Sequence, residues 1–299
     1  MQGDTPRPAY ADHERLVSEA RYYPEIWRLV VGLCVVTILI LAMNAALFVV
    51  VASLGPPDWV ADFLNGTTPI SLLVVLFSFA SATLGVAVAA KNLQHRTLGS
   101  IIGDRADAIW HFWRVSRALL LVGAILLVLP PYNMGATLIP NLSWADWLVL
   151  LPLSIPAVLV QTSAEEILFR GYIQQSLAAR FRSPLIWMML PSVLFAFGHY
   201  APAVAQDNAI LVAVWACVFG VLTADLTARS GTLGPAISLH FFNNLSALLL
   251  ISMPDSLSGL SLYHLPYSMS DTGIVRQWLY VDFGIMIVGW LAARLALRR

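Results

Sequence analysis

Eight long apolar runs, separated by short polar linkers, dominate the sequence and constrain its fold more than any other feature. Only 11% of the 299 residues are charged, whereas about a quarter are charged in a typical soluble protein. Water cannot solvate a surface with so few charges, so the solvent that suits this chain is a lipid bilayer. Because about 20 apolar residues cross the hydrocarbon core as a helix, the sequence predicts an all-α, polytopic membrane bundle of about eight helices.

The predicted spans are 27–54, 69–90, 108–130, 146–179, 184–200, 207–228, 233–253 and 275–297. The fourth is too long for a simple span. Its end, YIQQSLAARF, is typical of an amphipathic tail that runs onto the membrane surface. Four segments are expected from this pattern: a polar N-terminal segment (1–26), three accessory helices (27–145), a core (146–253), and a last loop, helix and basic C-terminus (254–299).

The distribution of basic residues predicts the orientation of the chain. Arginines stand before and at the start of the first run, in the fourth and sixth linkers and at the C-terminus, and the second linker region carries two arginines and the single lysine, Lys91. The four odd-numbered linkers contain neither residue. By the positive-inside rule, this alternation predicts eight crossings with both termini in the cytoplasm. The arginine-rich basic set is typical of a GC-rich bacterial genome, so a bacterial inner membrane is the expected location. The formal net charge of zero gives no reason to expect a nucleic-acid partner.

The stretch SAEEILFRGY places three charged residues inside the fourth apolar run. An ionisable side chain at this depth costs about 2.5–3.5 kcal/mol on insertion scales, so such groups usually line a functional cavity. Glu166 and Arg170 are four residues apart, in the order that favours a helical ion pair. Glu165 points about 100° away and is left without a partner on its own helix. A purely structural network of all three residues is the alternative interpretation.

Two later runs add polar groups of complementary chemistry. SVLFAFGHY carries His199 near the end of the fifth run, and LHFFNNLSALLL places His240 and Asn244 on one face of the seventh. Taken alone, each of these residues could be explained as a helix cap or as a contact between helices, without a role in catalysis. Together with Glu165 they supply a carboxylate, two imidazoles and a carboxamide at similar depths in the membrane.

These stretches carry a family resemblance. EEILFR fits EExxxR, FAFGH fits FxxxH and HFFNN fits HxxxN, in this order on successive helices. The chain resembles the CPBP intramembrane endopeptidases, also called the Abi or CAAX-protease family, which includes the type II prenyl-protein proteases. The resemblance covers roughly residues 146–253. It implies a polar catalytic cavity in which a glutamate activates water to hydrolyse a peptide bond.

Under this hypothesis Glu165 is the general base, and His199 helps to hold the water. His240 and Asn244 donate hydrogen bonds to the oxyanion, while Glu166 and Arg170 fix the helix and the base. No cofactor is expected. The alternative is a zinc ion held by Glu165, His199 and His240, since two histidines and a carboxylate can form a catalytic zinc site. The zincin motif HExxH is absent from the sequence.

Other classes of function fit the sequence less well. It contains no GxSxG motif of a serine hydrolase and no GxGD motif of an aspartyl intramembrane protease. A non-catalytic immunity or scaffold protein of the same fold is one alternative, and a proton-coupled transporter is another, although no internal repeat supports it. The expected partners are membrane lipid and a membrane-tethered or lipidated peptide substrate.

Overall fold

The computed structural model describes residues 8–56, 59–129 and 136–298. Within them, eight helices coincide with the eight predicted runs, so the all-α prediction is confirmed. They are α1 (Ile26–Leu54), α2 (Pro69–Gln94, with a turn at Phe79), α3 (Arg105–Val128), α4 (Trp144–Arg180), α5 (Pro184–His199), α6 (Ala209–Ser230), α7 (Gly234–Leu245) and α8 (Thr272–Leu297).

Six of these helical segments are long and apolar enough to cross a membrane, namely α1, α2, α3, α4, α6 and α8. Large apolar side chains point outward from them, including Leu41 on α1, Leu127 on α3 and Leu295 on α8. Such an exposed apolar surface suits lipid rather than water. The chain is therefore an integral membrane protein.

The helix α5, with 16 residues, agrees with its predicted span to one residue, whereas α7, with 12 residues, is shorter than predicted. Pro184 starts α5, and Pro202 follows soon after its end. The chain after α7 widens into a π-helical segment, Ser246–Leu250, and then becomes extended. A span estimated from hydropathy includes such continuations, because apolar composition alone does not show where the helical hydrogen bonds end.

Short elements connect the helices. Three two-residue strands, β1 (Ile139–Pro140), β2 (Ile251–Ser252) and β3 (Tyr263–His264), form a sheet in the order β1-β3-β2. β3 is antiparallel to β1 and parallel to β2. This sheet joins the segment before α4 to the segment after α7. The remaining short helices and 3₁₀ turns are Ala11–His13, Glu14–Val17, Glu19–Tyr22, Trp59–Asn65, Leu98–Ile102, Pro202–Ala205 and Gln206–Asn208.

The helices that carry the polar motifs pack closely together. Phe195 of α5, Phe219 of α6, Leu239 of α7 and Met286 of α8 belong to one buried cluster. α5 lies directly against α6, because a Cβ atom on Gly220 would lie only 2.7 Å from the Cβ of Ser192. This close approach holds the helix that ends in His199 against the bundle.

The end of α4 is buried, so the prediction of a surface tail is wrong. Gln174 and Gln175 are completely buried. The side chain of Gln175 accepts a hydrogen bond from Arg96 (2.6 Å) and donates one to the carbonyl of Ile101 (2.8 Å). An amphipathic pattern shows that one face is polar, but it does not show whether that face meets water or other protein groups.

The N-terminal segment covers this end of α4. Leu16 and Val17 are each 1% exposed, and the carbonyl of Leu16 accepts a hydrogen bond from Arg96. Tyr10 donates a hydrogen bond to Asp225 of α6 (2.9 Å), and the ring of His13 lies 4.6 Å from that of Trp187. A segment that reads as a polar tail is thus packed onto the helical bundle.

The burial of His13 predicts that docking of this segment weakens in acid. Burial lowers the pKa of His13 from 6.5 to about 4. The charge of Glu14 raises this pKa and that of Arg21 lowers it, both by less than burial does. The undocked chain binds a proton below pH 6.5, whereas the docked imidazole resists it. Stability should therefore fall as the pH drops from 6.5 towards 4, by at most about 3 kcal/mol.

This prediction is checked by hydrogen exchange of residues 8–25 in detergent, between about pH 7.5 and about pH 4.5. The matched control is His13→Gln, which keeps a polar side chain that does not titrate in this range. Protection in the wild type should decline more steeply with acid than in the variant. Parallel pH profiles would contradict the assignment.

Candidate active site

The polar motifs of α4 and α7 both stand at changes of helical geometry. Glu165 and Glu166 end the α-helical part of α4, and a π-helical segment (Ile167–Ile173) begins at the next residue. On α7, the second π-helical segment, Ser246–Leu250, begins shortly after Asn244. Short π-helical stretches inside helices are common at functional sites.

Glu166 and Arg170 form the ion pair that their spacing predicts. The Nε atom of Arg170 lies 3.3 Å from Oε2 of Glu166, and both side chains are buried. The guanidinium group also lies over the ring of Phe195, 4.8 Å from its centroid. The pair thus joins α4 to α5.

One imidazole contacts both glutamates. Nδ1 of His240 lies 2.8 Å from Oε1 of Glu166, and Nε2 of His240 lies 3.3 Å from Oε2 of Glu165. Neighbouring side chains on a helix point in different directions, and Glu165 meets its partner on another helix. The two ring nitrogens of an imidazole point in different directions as well, so His240 reaches both carboxylates from α7.

His199 lies beside this group, across the ring of Phe195. The ring centroid of Phe195 is 4.3 Å from that of His199 and 6.0 Å from that of His240. Nδ1 of His199 is 2.9 Å from the carbonyl oxygen of Phe195. A carbonyl only accepts hydrogen bonds, so Nδ1 carries the proton and, in the neutral ring, Nε2 is left as an acceptor.

Asn244 is held by two other side-chain amides. Its Nδ2 donates to Oε1 of Gln161 (2.8 Å), and its Oδ1 accepts from Nδ2 of Asn243 (3.1 Å). Gln161 stands on α4, four residues before Glu165, and is 7% exposed. Gln161 is not among the residues predicted from the sequence. The signal was available, since an amide in an apolar run one turn before a glutamate faces the same side of the helix.

The structure thus brings Glu165, Glu166, Arg170 and His240 into direct contact, while His199 packs against Phe195 and Asn244 is bonded to Gln161. Within the group the acids differ in accessibility. The side chain of Glu165 is 16% exposed, whereas that of Glu166 is fully buried. A water molecule or a substrate can therefore approach Glu165, while Glu166 is confined to its contacts with Arg170 and His240.

The zinc alternative requires Glu165, His199 and His240 around one ion. Across residues 8–56, 59–129 and 136–298, no three His, Cys, Asp or Glu side chains are grouped so as to hold a metal ion together.

Comparison with known proteins supports the resemblance seen in the motifs. Residues 144–246 match the family model described as type II CAAX prenyl endopeptidase Rce1-like. Residues 144–246 are thus similar to a family described as endopeptidases. The matched range contains Glu165, Glu166, Arg170, His199, His240 and Asn244, all the candidate site residues named from the sequence.

One curated relative is the uncharacterized protein YyaK of Bacillus subtilis (strain 168), which is 26% identical over 192 residues. The aligned region covers 62% of this chain and 62% of YyaK, so this chain spans less than two thirds of that protein's length. No solved structure matches the chain.

Proposed function

We propose that this protein is an intramembrane endopeptidase, which hydrolyses a peptide bond in a membrane-tethered or lipidated peptide with a water molecule activated by Glu165. The observation that carries the proposal is the contact of Glu165, the accessible acid, with His240, which Glu166 holds from its other nitrogen. Hydrolysis needs a base, an oxyanion donor and a water site, and side chains suited to each are gathered here.

In this mechanism Glu165 takes a proton from the water and later passes it to the leaving amine. The water lies between Glu165 and Nε2 of His199, which accepts its second hydrogen bond. The hydrogen bond from Nδ1 of His199 to the Phe195 carbonyl supports this role, because it leaves Nε2 as the accepting nitrogen. The proton donor and the base are then the same carboxyl group at successive steps.

The oxyanion is stabilised by His240 and Asn244. A protonated His240 donates to both carboxylates, and the charges of Glu165, Glu166, Arg170 and His240 then sum to zero. Such a neutral cluster avoids the cost of an uncompensated charge in the membrane interior. As Glu165 takes the proton from water and loses its negative charge, its attraction for Nε2 of His240 weakens. His240 can then donate this N–H to the developing oxyanion. The second N–H of Asn244 supplies a further donor.

No step of this mechanism uses a metal, and chelation provides a direct test. Prolonged treatment with EDTA or 1,10-phenanthroline should leave cleavage unchanged to within about twofold, because no ligand set needs to be filled. A thermolysin-type zinc protease treated in parallel serves as the control for chelation. Loss of activity that added zinc restores would contradict the metal-free mechanism and favour the zinc alternative.

The location of the enzyme is part of the proposal. We place it in a bacterial inner membrane with both termini in the cytoplasm, as the arginine distribution predicts. Ser246 and Ala247, which follow the end of α7 shortly after Asn244, are exposed. A peptide tethered in the lipid could reach the site along this side without first entering water.

The substrate is sought with Glu165→Gln as a trap. Membranes that contain the wild type, Glu165→Gln or the control Glu25→Gln are compared by mass spectrometry of new peptide termini and by pull-down. Glu25 is exposed and pairs with Arg28, away from the site. New termini should appear with the wild type and Glu25→Gln, and an uncleaved partner should be retained by Glu165→Gln. The same termini in all three samples would contradict the proposal and favour a non-catalytic role.

A further inference from the structure

The contacts of Asn244 fix the orientation of its side-chain amide as well as its position. An asparagine side chain has one acceptor oxygen and two N–H groups, and its two ends can exchange by rotation of the terminal amide. The Oε1 atom of Gln161 can only accept, and it lies 2.8 Å from Nδ2 of Asn244. The Nδ2 group of Asn243 can only donate, and it lies 3.1 Å from Oδ1 of Asn244. Gln161 and Asn243 are amides as well, and in the orientations that they have in the structure they hold the Asn244 amide in one orientation.

This orientation matters for the chemistry assigned to Asn244. With its oxygen occupied by Asn243 and one N–H occupied by Gln161, Asn244 has a single N–H left to donate. In the opposite orientation the amide oxygen would take the place of the nitrogen and would repel an oxyanion. A donor that already points correctly needs no reorganisation during the reaction, which is the main source of oxyanion-hole catalysis.

We propose that Gln161 is a positioning residue of the active site, which acts with Asn243 to hold the Asn244 amide with one N–H directed at the oxyanion. This inference rests on the proposed peptidase function. Gln161 stands on the same helix as Glu165, one turn earlier, and is almost fully buried. The turn of α4 before the base therefore orients the oxyanion donor, so that one helix aligns the groups on both sides of the scissile bond.

The experiment uses the full-length protein in vesicles of phosphatidylethanolamine and phosphatidylglycerol. The probe is a library of acyl-tethered, quenched-fluorophore peptides. Gln161→Met keeps the length of the side chain but removes the acceptor, whereas Gln161→Glu keeps an acceptor oxygen. Gln161→Met should lower kcat by about 10–100-fold with little change in KM, because the lost interaction acts in the transition state. Gln161→Glu should retain most of the wild-type kcat.

A double-mutant cycle separates positioning from a general structural role. If Gln161 acts through Asn244, adding Gln161→Met to Asn244→Ala should cause no further loss of kcat. An equal further loss in both backgrounds would overturn the proposal, and so would an equal loss in Gln161→Glu and Gln161→Met. Thermal unfolding of each variant shows whether it is folded. If Gln161→Met does not fold, Gln161→Ala and its double variant with Asn244→Ala decide by the same criteria.

Cleavage by the wild type and by Glu165→Gln tests the proposed peptidase function separately from the role of Gln161. Absence of cleavage by the wild type, or full cleavage by Glu165→Gln, would overturn the peptidase proposal and this inference with it. Cleavage that Glu165→Gln abolishes but Gln161→Met leaves at the wild-type rate would overturn only the role of Gln161.

Discussion

Replacement of Glu165 by glutamine should abolish peptide-bond cleavage while the protein stays folded and inserted in the membrane. Glutamine has nearly the same shape but cannot take a proton from water, so the rate should fall by at least about 10²–10⁴-fold, the range typical of general-base catalysis. The side chain of Glu165 is partly exposed and is not part of the Arg170 ion pair, so its change to an amide should disturb the fold little. The measurement is cleavage of the acyl-tethered peptide library in vesicles.

The control for this experiment is Glu25→Gln, the same chemical change at an exposed site, which should cleave at the wild-type rate. His240→Gln, which loses the central imidazole, should also be inactive. Because Glu165 and His240 act as a unit, the double variant should be no worse than the poorer single variant. If Glu165→Gln retains more than about a tenth of the wild-type rate, Glu165 is not the base.

Replacement of Arg170 by methionine should cause the largest loss of stability. Arg170 is fully buried, and among the described residues its guanidinium nitrogens have no hydrogen-bond partner apart from the ion-pair contact with Glu166. Removal of the cation leaves Glu166 as a buried charge with only His240 beside it. Loss of one partner from a buried ion pair typically costs about 3–5 kcal/mol. Thermal unfolding in detergent provides the measurement.

The cause of that loss is tested by removing the other charge as well. Glu166→Gln in the Arg170→Met background should recover a large part of the stability, because no unpaired charge remains in the protein interior. Activity should not recover, since the amide replaces the carboxylate that holds Nδ1 of His240. No recovery of stability in the double variant would show that Arg170 acts by packing rather than by charge.

The chain offers a matched control for Arg170 in a second ion pair of the same spacing. Arg229 and Asp225 of α6 are 2.7 Å apart, and Asp225 also accepts hydrogen bonds from Tyr10 and Trp290. Arg229→Met therefore leaves an acid that keeps two donors. Its loss of stability should be clearly smaller than that of Arg170→Met, although both changes remove an arginine from an i, i+4 pair.

Local patterns in the sequence were sufficient for the helices and for part of the site. Apolar runs located all eight helices, because burial in lipid requires a long stretch of apolar side chains whatever the packing. The spacing of Glu166 and Arg170 predicted their ion pair, since the geometry of a single helix places residues i and i+4 together. Three polar motifs also identified the side chains of α4, α5 and α7 that surround the site.

Contacts between distant segments could not be predicted in this way. The N-terminal segment covers the end of α4, and an amphipathic face gives no indication of which partner covers it. The contact of His240 with both glutamates depends on the rotation and depth of α7 relative to α4. The hydrogen bond between Gln161 and Asn244 depends on the same relative position.

Hydropathy and helical periodicity predict a membrane bundle with two glutamates, two histidines and an asparagine on its inner helices, because both act over a few turns of one segment. The packing of α4 against α7 establishes that Glu165 is the accessible acid and that His240 reaches both acids. The same packing brings Gln161 to the Asn244 amide. These contacts join different helices, so no rule of spacing within one helix specifies them.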